Sequence, residues 1–196
     1  MKFAYIIAVN IALLGVAQAQ VPVSDITAEK IVQILAEPAV PAGLSRSMGR
    51  RVAAEPDPLT HRCSVTGETA EDSTGAQRNL VVTNSPKLDL AIAFELDSAA
   101  IRGSSQALLA ALAQAMQSPE LGNARFVIAG HTDKRGSDGY NKSLSCERAL
   151  AVREYLARRH GIAKQRLIPL GFGFDRLLDP YDPESEVNRR VEIRKY

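Results

Sequence analysis

Asp133 and Arg148 are the two residues of this chain whose types and spacing suggest ligand chemistry. Asp133 follows the apolar run Phe126–Ala129 through a short turn, so it leaves the end of a predicted strand. Arg148 lies on the helical pattern that comes next, four residues from Leu144 and four from Val152, on an otherwise apolar stripe. A charged group on an apolar face needs a partner, because an isolated buried charge is costly.

The residues alone leave two interpretations of this pair open. In the first, Asp133 and Arg148 form an ion pair that only ties the loop to the helix. In the second, each side chain keeps a free face for a small zwitterion. The Asp133 carboxylate would then accept an ammonium group, and the Arg148 guanidinium would bind a carboxylate through two parallel hydrogen bonds.

A predicted strand, helix and strand place acidic residues at one edge of a sheet. Residues 88–94 alternate between apolar and other positions, which is typical of a strand with one buried face. A helix capped by Ser104 or Ser105 follows and stops at Pro119, and the next strand is Arg125–Ala129. Such a unit makes its two strands parallel, so Asp97 and Asp133 should converge at their carboxyl ends, where α/β sheets usually bind ligands.

The rest of the chain completes the predicted sheet. A helix begins between Asp138 and Asn141 and ends with a basic turn before Gly161. Strands are predicted at Arg166–Leu170 and Val187–Ile193. For Arg189 and Arg190, in the last strand, the sequence favours a stabilising role over contact with a ligand.

The amino-terminal part divides into an export signal and a connecting region. Residues 1–19 have a positive start, an apolar stretch and a small-x-small end, as in a cleaved signal peptide, and an uncleaved membrane anchor is the alternative. Residues 20–84 are predicted to hold a short helix at 24–37 and a flexible linker from residue 39, and the folded domain occupies 85–196. The short helix docks either on its own domain or on another envelope protein.

The composition of the chain argues against a nucleic-acid-binding protein. A formal net charge of +2 and the absence of Trp argue against nucleic-acid binding.

An enzyme would have to use His131 with Asp133, or Cys146 with His131, as base and nucleophile. His131 and Asp133 are neighbours in one turn, and no second His or acid stands at metal-ligand spacing. We therefore expect neither catalysis, nor a metal, nor a cofactor.

Several motifs together resemble one family. They are Gly130-His131-Thr132-Asp133, Gly136-Ser137, Tyr140-Asn141, Leu144-Ser145, Arg148-Ala149 and Asn188-Arg189-Arg190-Val191-Glu192-Ile193. In this order and spacing they resemble the OmpA-like carboxy-terminal domain, which is shared with peptidoglycan-associated lipoproteins and MotB-type flagellar stator proteins. The resemblance covers roughly residues 88–196. It implies an α/β (α+β) fold, a βαβαββ sandwich with a mixed parallel and antiparallel sheet and helices packed on one face.

The resemblance also implies a ligand and a location. Members bind peptidoglycan non-covalently through the meso-diaminopimelate of its stem peptide, so the partner expected here is diaminopimelate-type peptidoglycan in the periplasm, with outer-membrane association as a further option. Asp133 would bind the ammonium and Arg148 the carboxylate. Leu144, Leu96 and Asp97 would also contact the ligand, and Asn141 would order the site. The alternative function is a stator-like or scaffold protein with a retained membrane anchor.

Two features depart from the family pattern. Glu95-Leu96-Asp97 stands where many relatives carry an aromatic residue, so an aromatic contact is expected to be missing. Cys63 and Cys146 form an even pair in an exported protein, which permits a disulfide. The sequence leaves open whether this bridge forms or Cys146 is a half-buried thiol.

Overall fold

The computed structural model describes residues 26–37, 63 and 86–196. The predicted signal peptide or membrane anchor and nearly all of the predicted linker lie outside these residues. The described residues form three helices and four strands: α1 Ala28–Ala36, β1 Lys87–Leu90, α2 Gln106–Met116, β2 Phe126–Gly130, α3 Asp138–His160, β3 Leu167–Gly171 and β4 Val191–Lys195. None of these helices is both long and apolar enough to span a bilayer.

The strands form one mixed sheet in the order β1-β4-β2-β3. β4 runs antiparallel to both β1 and β2, and β2 is parallel to β3. β1 and β2 therefore point the same way with β4 between them, and their carboxyl ends share one edge as predicted. The mixed α/β fold and its βαβαββ order are confirmed.

The first strand is shorter than its sequence pattern predicts. It ends at Leu90, which pairs with Val191 at the start of β4. Beyond that point the chain turns, because the amide of Ile92 donates to the carbonyl of Leu90 at 2.9 Å. The predicted cap residue Ser105 accepts a hydrogen bond from the Ala93 amide at 2.8 Å and does not cap α2.

The last strand begins later than predicted, at Val191. Residues Glu186–Asn188 form a 3₁₀ turn instead. The side chain of Asn188 is fully buried and bonds backbone groups of the preceding loop, accepting from the amides of Leu178 and Asp179 at 2.8 and 2.9 Å. The sequence does not show that the Asn188 side chain bonds the preceding loop, so residues 187–190 could not be distinguished from the strand that follows them.

The three helices pack on one face of the sheet. The core there includes alternate residues of the strands, such as Leu90, Ile128 and Ile193. Helix α1 belongs to this core, because Ile31 and Leu35, one turn apart, are both 0% exposed. Its packing against α2 and β1 extends the folded unit beyond residues 85–196. Docking on its own domain, one of the two expectations, is what this helix does.

Two paired glycines let α3 approach the sheet closely. Gly130 and Gly171 are partners in the β2–β3 register. A Cβ atom on Gly130 would overlap the carbonyl oxygen of Ser145, and one on Gly171 would lie 2.7 Å from the amide nitrogen of Cys146. Because only glycine tolerates such contact, the first half of α3 lies against the carboxyl ends of β2 and β3.

Candidate functional site

A groove of about 900 Å³ lies at the carboxyl edge of β1 and β2. All six residues that the sequence nominated as ligand contacts line it: Leu96, Asp97, Asp133, Asn141, Leu144 and Arg148. They come from the loop after β1, the loop after β2 and the first half of α3. The fold thus brings together residues that are far apart in the chain.

Asp133 is buried and already compensated by two arginines. Its Oδ2 atom accepts from Arg135 Nη2 at 2.8 Å, from Arg135 Nε at 3.2 Å and from Arg189 Nη1 at 2.8 Å. Its Oδ1 atom accepts from the Arg135 amide at 3.1 Å. Burial raises the pKa of Asp133, but the bonds from Arg135 and Arg189 outweigh it and hold the pKa below its usual value. The carboxylate is therefore ionised at neutral pH.

Arg148 is half-buried and, like Asp133, lines the groove. Its Nε atom donates to the carbonyl of Ser98 at 3.1 Å, and its guanidinium carbon lies 4.9 Å from the centre of the Phe94 ring. Burial lowers the pKa of Arg148, while nearby Asp97 and Asp133 act in the opposite direction. Within the described part of the chain, no carboxylate lies within ion-pair distance of this guanidinium. The ion pair between Asp133 and Arg148 is not formed.

Asn141 holds the loop that carries Asp133. Its buried side-chain amide donates to the carbonyl of Arg135 at 2.6 Å and to that of Ser137 at 3.1 Å. Between them, Gly136 has a φ of 86°, which favours glycine. Ser137 caps α3 by accepting from the Tyr140 amide at 3.3 Å. Asn141 therefore positions the loop backbone relative to the helix.

The rim of the groove is partly apolar. Leu96 is 86% exposed and Tyr140 is 47% exposed, whereas Leu144 is buried below them. Asp97 has a φ of 46°, and its carboxylate accepts from the Tyr140 hydroxyl at 3.3 Å. Leu96 and Tyr140 therefore add exposed apolar surface to the rim of the groove.

His131, the residue on which an enzyme would depend, also contributes to the lining of the groove. It is 1% exposed, and its ring stacks on Phe172 with centroids 5.3 Å apart. Burial lowers its pKa well below the usual value, and the nearby Arg190 guanidinium lowers it further. Asp133 bonds arginines rather than this imidazole. Across residues 26–37, 63 and 86–196, no cluster of three or more His, Cys, Asp or Glu side chains is placed to hold a metal ion.

A disulfide joins Cys63 to Cys146 on α3, with Cα atoms 5.4 Å apart. Cys63 is buried, and its amide donates to the carbonyl of Pro169 in β3 at 3.4 Å. The bridge lies where α3 meets β3, beside Gly171. In this state neither sulfur is a nucleophile.

Sequence reasoning missed three residues of the site. Arg135 and Arg189 compensate Asp133. Phe94, which directly precedes Glu95-Leu96-Asp97, supplies an aromatic contact to Arg148, so an aromatic side chain lies in the groove where none was expected. The proximity of Arg135 to Asp133 in the turn is a signal that could have been used. No local pattern relates Arg189 to a residue 56 positions away.

Comparison with known proteins supports the resemblance. The model of the OmpA family matches residues 93–190. Outer membrane porin F of Pseudomonas aeruginosa is 33% identical over 108 residues, which are 54% of this chain and 30% of that protein. The peptidoglycan-associated lipoprotein of Mesorhizobium japonicum is 36% identical over 102 residues, 51% of this chain and 59% of that one. The chain thus spans less than two thirds of either relative's length.

Solved structures of similar domains also match. The crystal structure of the peptidoglycan-associated lipoprotein from Burkholderia pseudomallei is 28% identical and has a TM-score of 0.46. The match covers 54% of this chain and 88% of that one. The periplasmic domain of Helicobacter pylori MotB, at 24% identity, has a TM-score of 0.47 over 55% of this chain and 79% of that one.

Proposed function

Since this chain belongs to the OmpA family, we propose that its folded domain binds peptidoglycan non-covalently, without cleaving it, and thereby anchors or links the cell envelope from the periplasm. The similarity to a protein named peptidoglycan-associated lipoprotein supports this role. So does the groove at the carboxyl edge of the sheet, because it carries separated opposite charges and an apolar rim. The buried, stacked His131 gives no support to hydrolysis.

The ligand group that suits this groove is the zwitterionic end of meso-diaminopimelate. Its ammonium would bind the Asp133 carboxylate, and the carboxylate on the same carbon would bind Arg148. Leu144, Leu96 and Asp97 would contact the neighbouring part of the ligand, and Asn141 would keep the loop in place. A lysine side chain offers the ammonium alone, so Arg148 is the residue that would select diaminopimelate.

One observation carries this proposal: the half-buried Arg148 faces a groove without a carboxylate partner among the described residues. A cation held by one carbonyl and one aromatic face still has unused N–H donors. Because the ring and the carbonyl also restrict its motion, the guanidinium is preorganised to receive a planar carboxylate.

The test is retention of the pure protein on sacculi of the diaminopimelate type and of the lysine type. We expect retention on the first type and little on the second. Asp133→Ala and Arg148→Ala should each abolish it. Arg158→Ala is a matched control, because Arg158 is on the same helix in an exposed pair with Glu154. Equal retention on both wall types, or full retention of the two site variants, would contradict the mechanism.

The non-catalytic part of the proposal has its own test. Incubation of the protein with purified sacculi should release no soluble fragments. Release that is lost in His131→Ala would show a hydrolase instead of a binding domain.

A further inference from the structure

Asp133 and Arg148 differ in the partners that the protein gives them. Arg148 has no carboxylate partner in the described structure, whereas Asp133 is bonded by both Arg135 and Arg189. The Arg148 guanidinium therefore keeps hydrogen-bond donors for a ligand carboxylate. The Asp133 carboxylate, which would bind the ligand ammonium, is already bonded to two protein cations.

The two arginines on Asp133 are held to different degrees. Arg189 is one-third exposed and also bonds Glu186, with Nη2 and Oε1 3.2 Å apart. The Arg135 side chain is 58% exposed, and apart from Asp133 the one hydrogen bond of its guanidinium to a described residue is a long 3.3 Å bond to the carbonyl of Glu184. Its backbone is fixed independently, because its amide bonds Asp133 and its carbonyl accepts from Asn141. The Arg135 side chain can therefore leave without moving the loop.

We propose that the Arg135 guanidinium is an internal competitor that occupies the ammonium position on Asp133 until the ligand displaces it. This inference rests on the proposed function and adds a regulatory contact to that site. A buried carboxylate is strongly destabilised when it loses its partners. Exchange of one cation for another keeps Asp133 compensated before and after binding, so Arg135 stabilises the empty site while it weakens ligand binding.

Replacement of the Arg135 guanidinium by a ligand ammonium breaks only a weak ion pair. Ion pairs with one exposed partner are weak, so removal of Arg135 should tighten binding by only about two- to fivefold. The gain should require an ammonium on the ligand. Pimelate has the two carboxylates of diaminopimelate but no ammonium, so its binding should not improve.

The experiment is calorimetric titration of the full chain and its Arg135→Ala variant with free meso-diaminopimelate and with pimelate. Arg102→Ala is the matched control, because Arg102 is an exposed arginine beside the same groove, bonded to Glu95 at 3.2 Å and not to Asp133. The Arg102→Ala variant also removes one positive charge near the groove, but it leaves the bonds of the Asp133 carboxylate unchanged. We expect tighter binding of diaminopimelate by Arg135→Ala and no comparable change in Arg102→Ala.

Three results would overturn the inference. The first is unchanged or weaker binding of diaminopimelate by Arg135→Ala. The second is an equal increase of diaminopimelate affinity in Arg102→Ala. The third is an equal increase of pimelate affinity in Arg135→Ala. Failure of the proposed function looks different: neither the natural protein nor Arg135→Ala would then be retained on sacculi. A natural protein that is retained but is not improved by Arg135→Ala refutes the competitor alone.

Discussion

Buried charges at and near the groove are compensated in different ways. Asp133 is neutralised by arginines from two loops, whereas Arg148 relies on a carbonyl and an aromatic ring. Next to the site, Glu192 of β4 is 3% exposed and bonds Arg194 at 2.8 Å and Lys87 at 3.5 Å. A compensated charge avoids the penalty of an isolated buried ion, and an incompletely compensated one is available to a ligand.

Glu192 makes stability depend on pH. Burial raises its pKa, but the charges of Arg194 and Lys87 outweigh that effect and bring it from 4.5 to about 2. Because this value is below that of the unfolded chain, the stabilisation is complete above pH 4.5 and is lost as the pH falls toward 2. Glu192→Gln should lower the free energy of unfolding by roughly 3 kcal/mol at pH 7 and by much less near pH 2.

Urea denaturation at the two pH values measures this difference. Glu147→Gln, at an exposed position of α3, is the control and should change stability little at either pH. An equal loss in Glu192→Gln at both pH values would show that the charge is not the source of the stabilisation.

The geometry of the groove depends on how closely α3 approaches the sheet. Gly130 and Gly171 permit this approach, and the same helix carries Leu144 and Arg148. The buried Ser145 reinforces the contact by accepting from the Gly173 amide at 2.9 Å. Close helix-to-strand packing thus places the site residues.

A methyl group at Gly130 should push α3 away. Gly130→Ala should destabilise the domain by roughly 1–3 kcal/mol and also reduce retention on diaminopimelate-type sacculi. Gly139→Ala, in the first turn of α3, is the control because a Cβ there meets open space. Thermal unfolding and the retention assay give the two readouts. Unchanged stability of Gly130→Ala would contradict the packing argument.

Helix α1 contributes to the core although it lies outside the matched residues 93–190. Ile31→Ala should cost about 2–5 kcal/mol, because it leaves a cavity between α1 and the rest of the core. Gln33→Ala, on the exposed face of the same helix, should be nearly neutral. Chemical denaturation measures both variants. If Ile31→Ala lowered the free energy of unfolding as little as Gln33→Ala, helix α1 would not contribute to stability.

Across the whole molecule, the disulfide between Cys63 and Cys146 connects distant parts of the chain. The two residues are 83 positions apart, so the bridge closes a long loop in the unfolded state. Long loops lose much entropy when they are closed, which stabilises the folded state relative to the unfolded one.

Reduction should therefore lower the free energy of unfolding by about 2–4 kcal/mol. Denaturation with and without reductant measures the change. A variant with both cysteines changed to serine should match the reduced protein and no longer respond to reductant. If the natural protein is also insensitive to reductant, the bridge contributes nothing to stability.

Local sequence patterns were sufficient to predict most helices and strands and to identify the resemblance to the OmpA-like domain. The start of α3, the glycine after it and the alternation in β1 depend on neighbouring residues, so they can be recognised from the sequence. The mixed fold predicted from these motifs is confirmed. The early end of β1 was missed because the distant Ser105 side chain bonds the Ala93 amide there. The turn before β4 was missed because the Asn188 side chain bonds the backbone of the preceding loop.

The partners of the charged residues depend on contacts across the fold. The sequence identified Asp133 and Arg148 as an acid and a base that would meet at one sheet edge, from their types and their positions on a strand end and a helix. It could not show that Asp133 bonds Arg189 from the far end of the chain, or that Arg148 lies on Phe94. Hydrogen bonds and ion pairs act over a few ångströms in space, and residues that are remote in sequence come within that range only after the sheet has assembled.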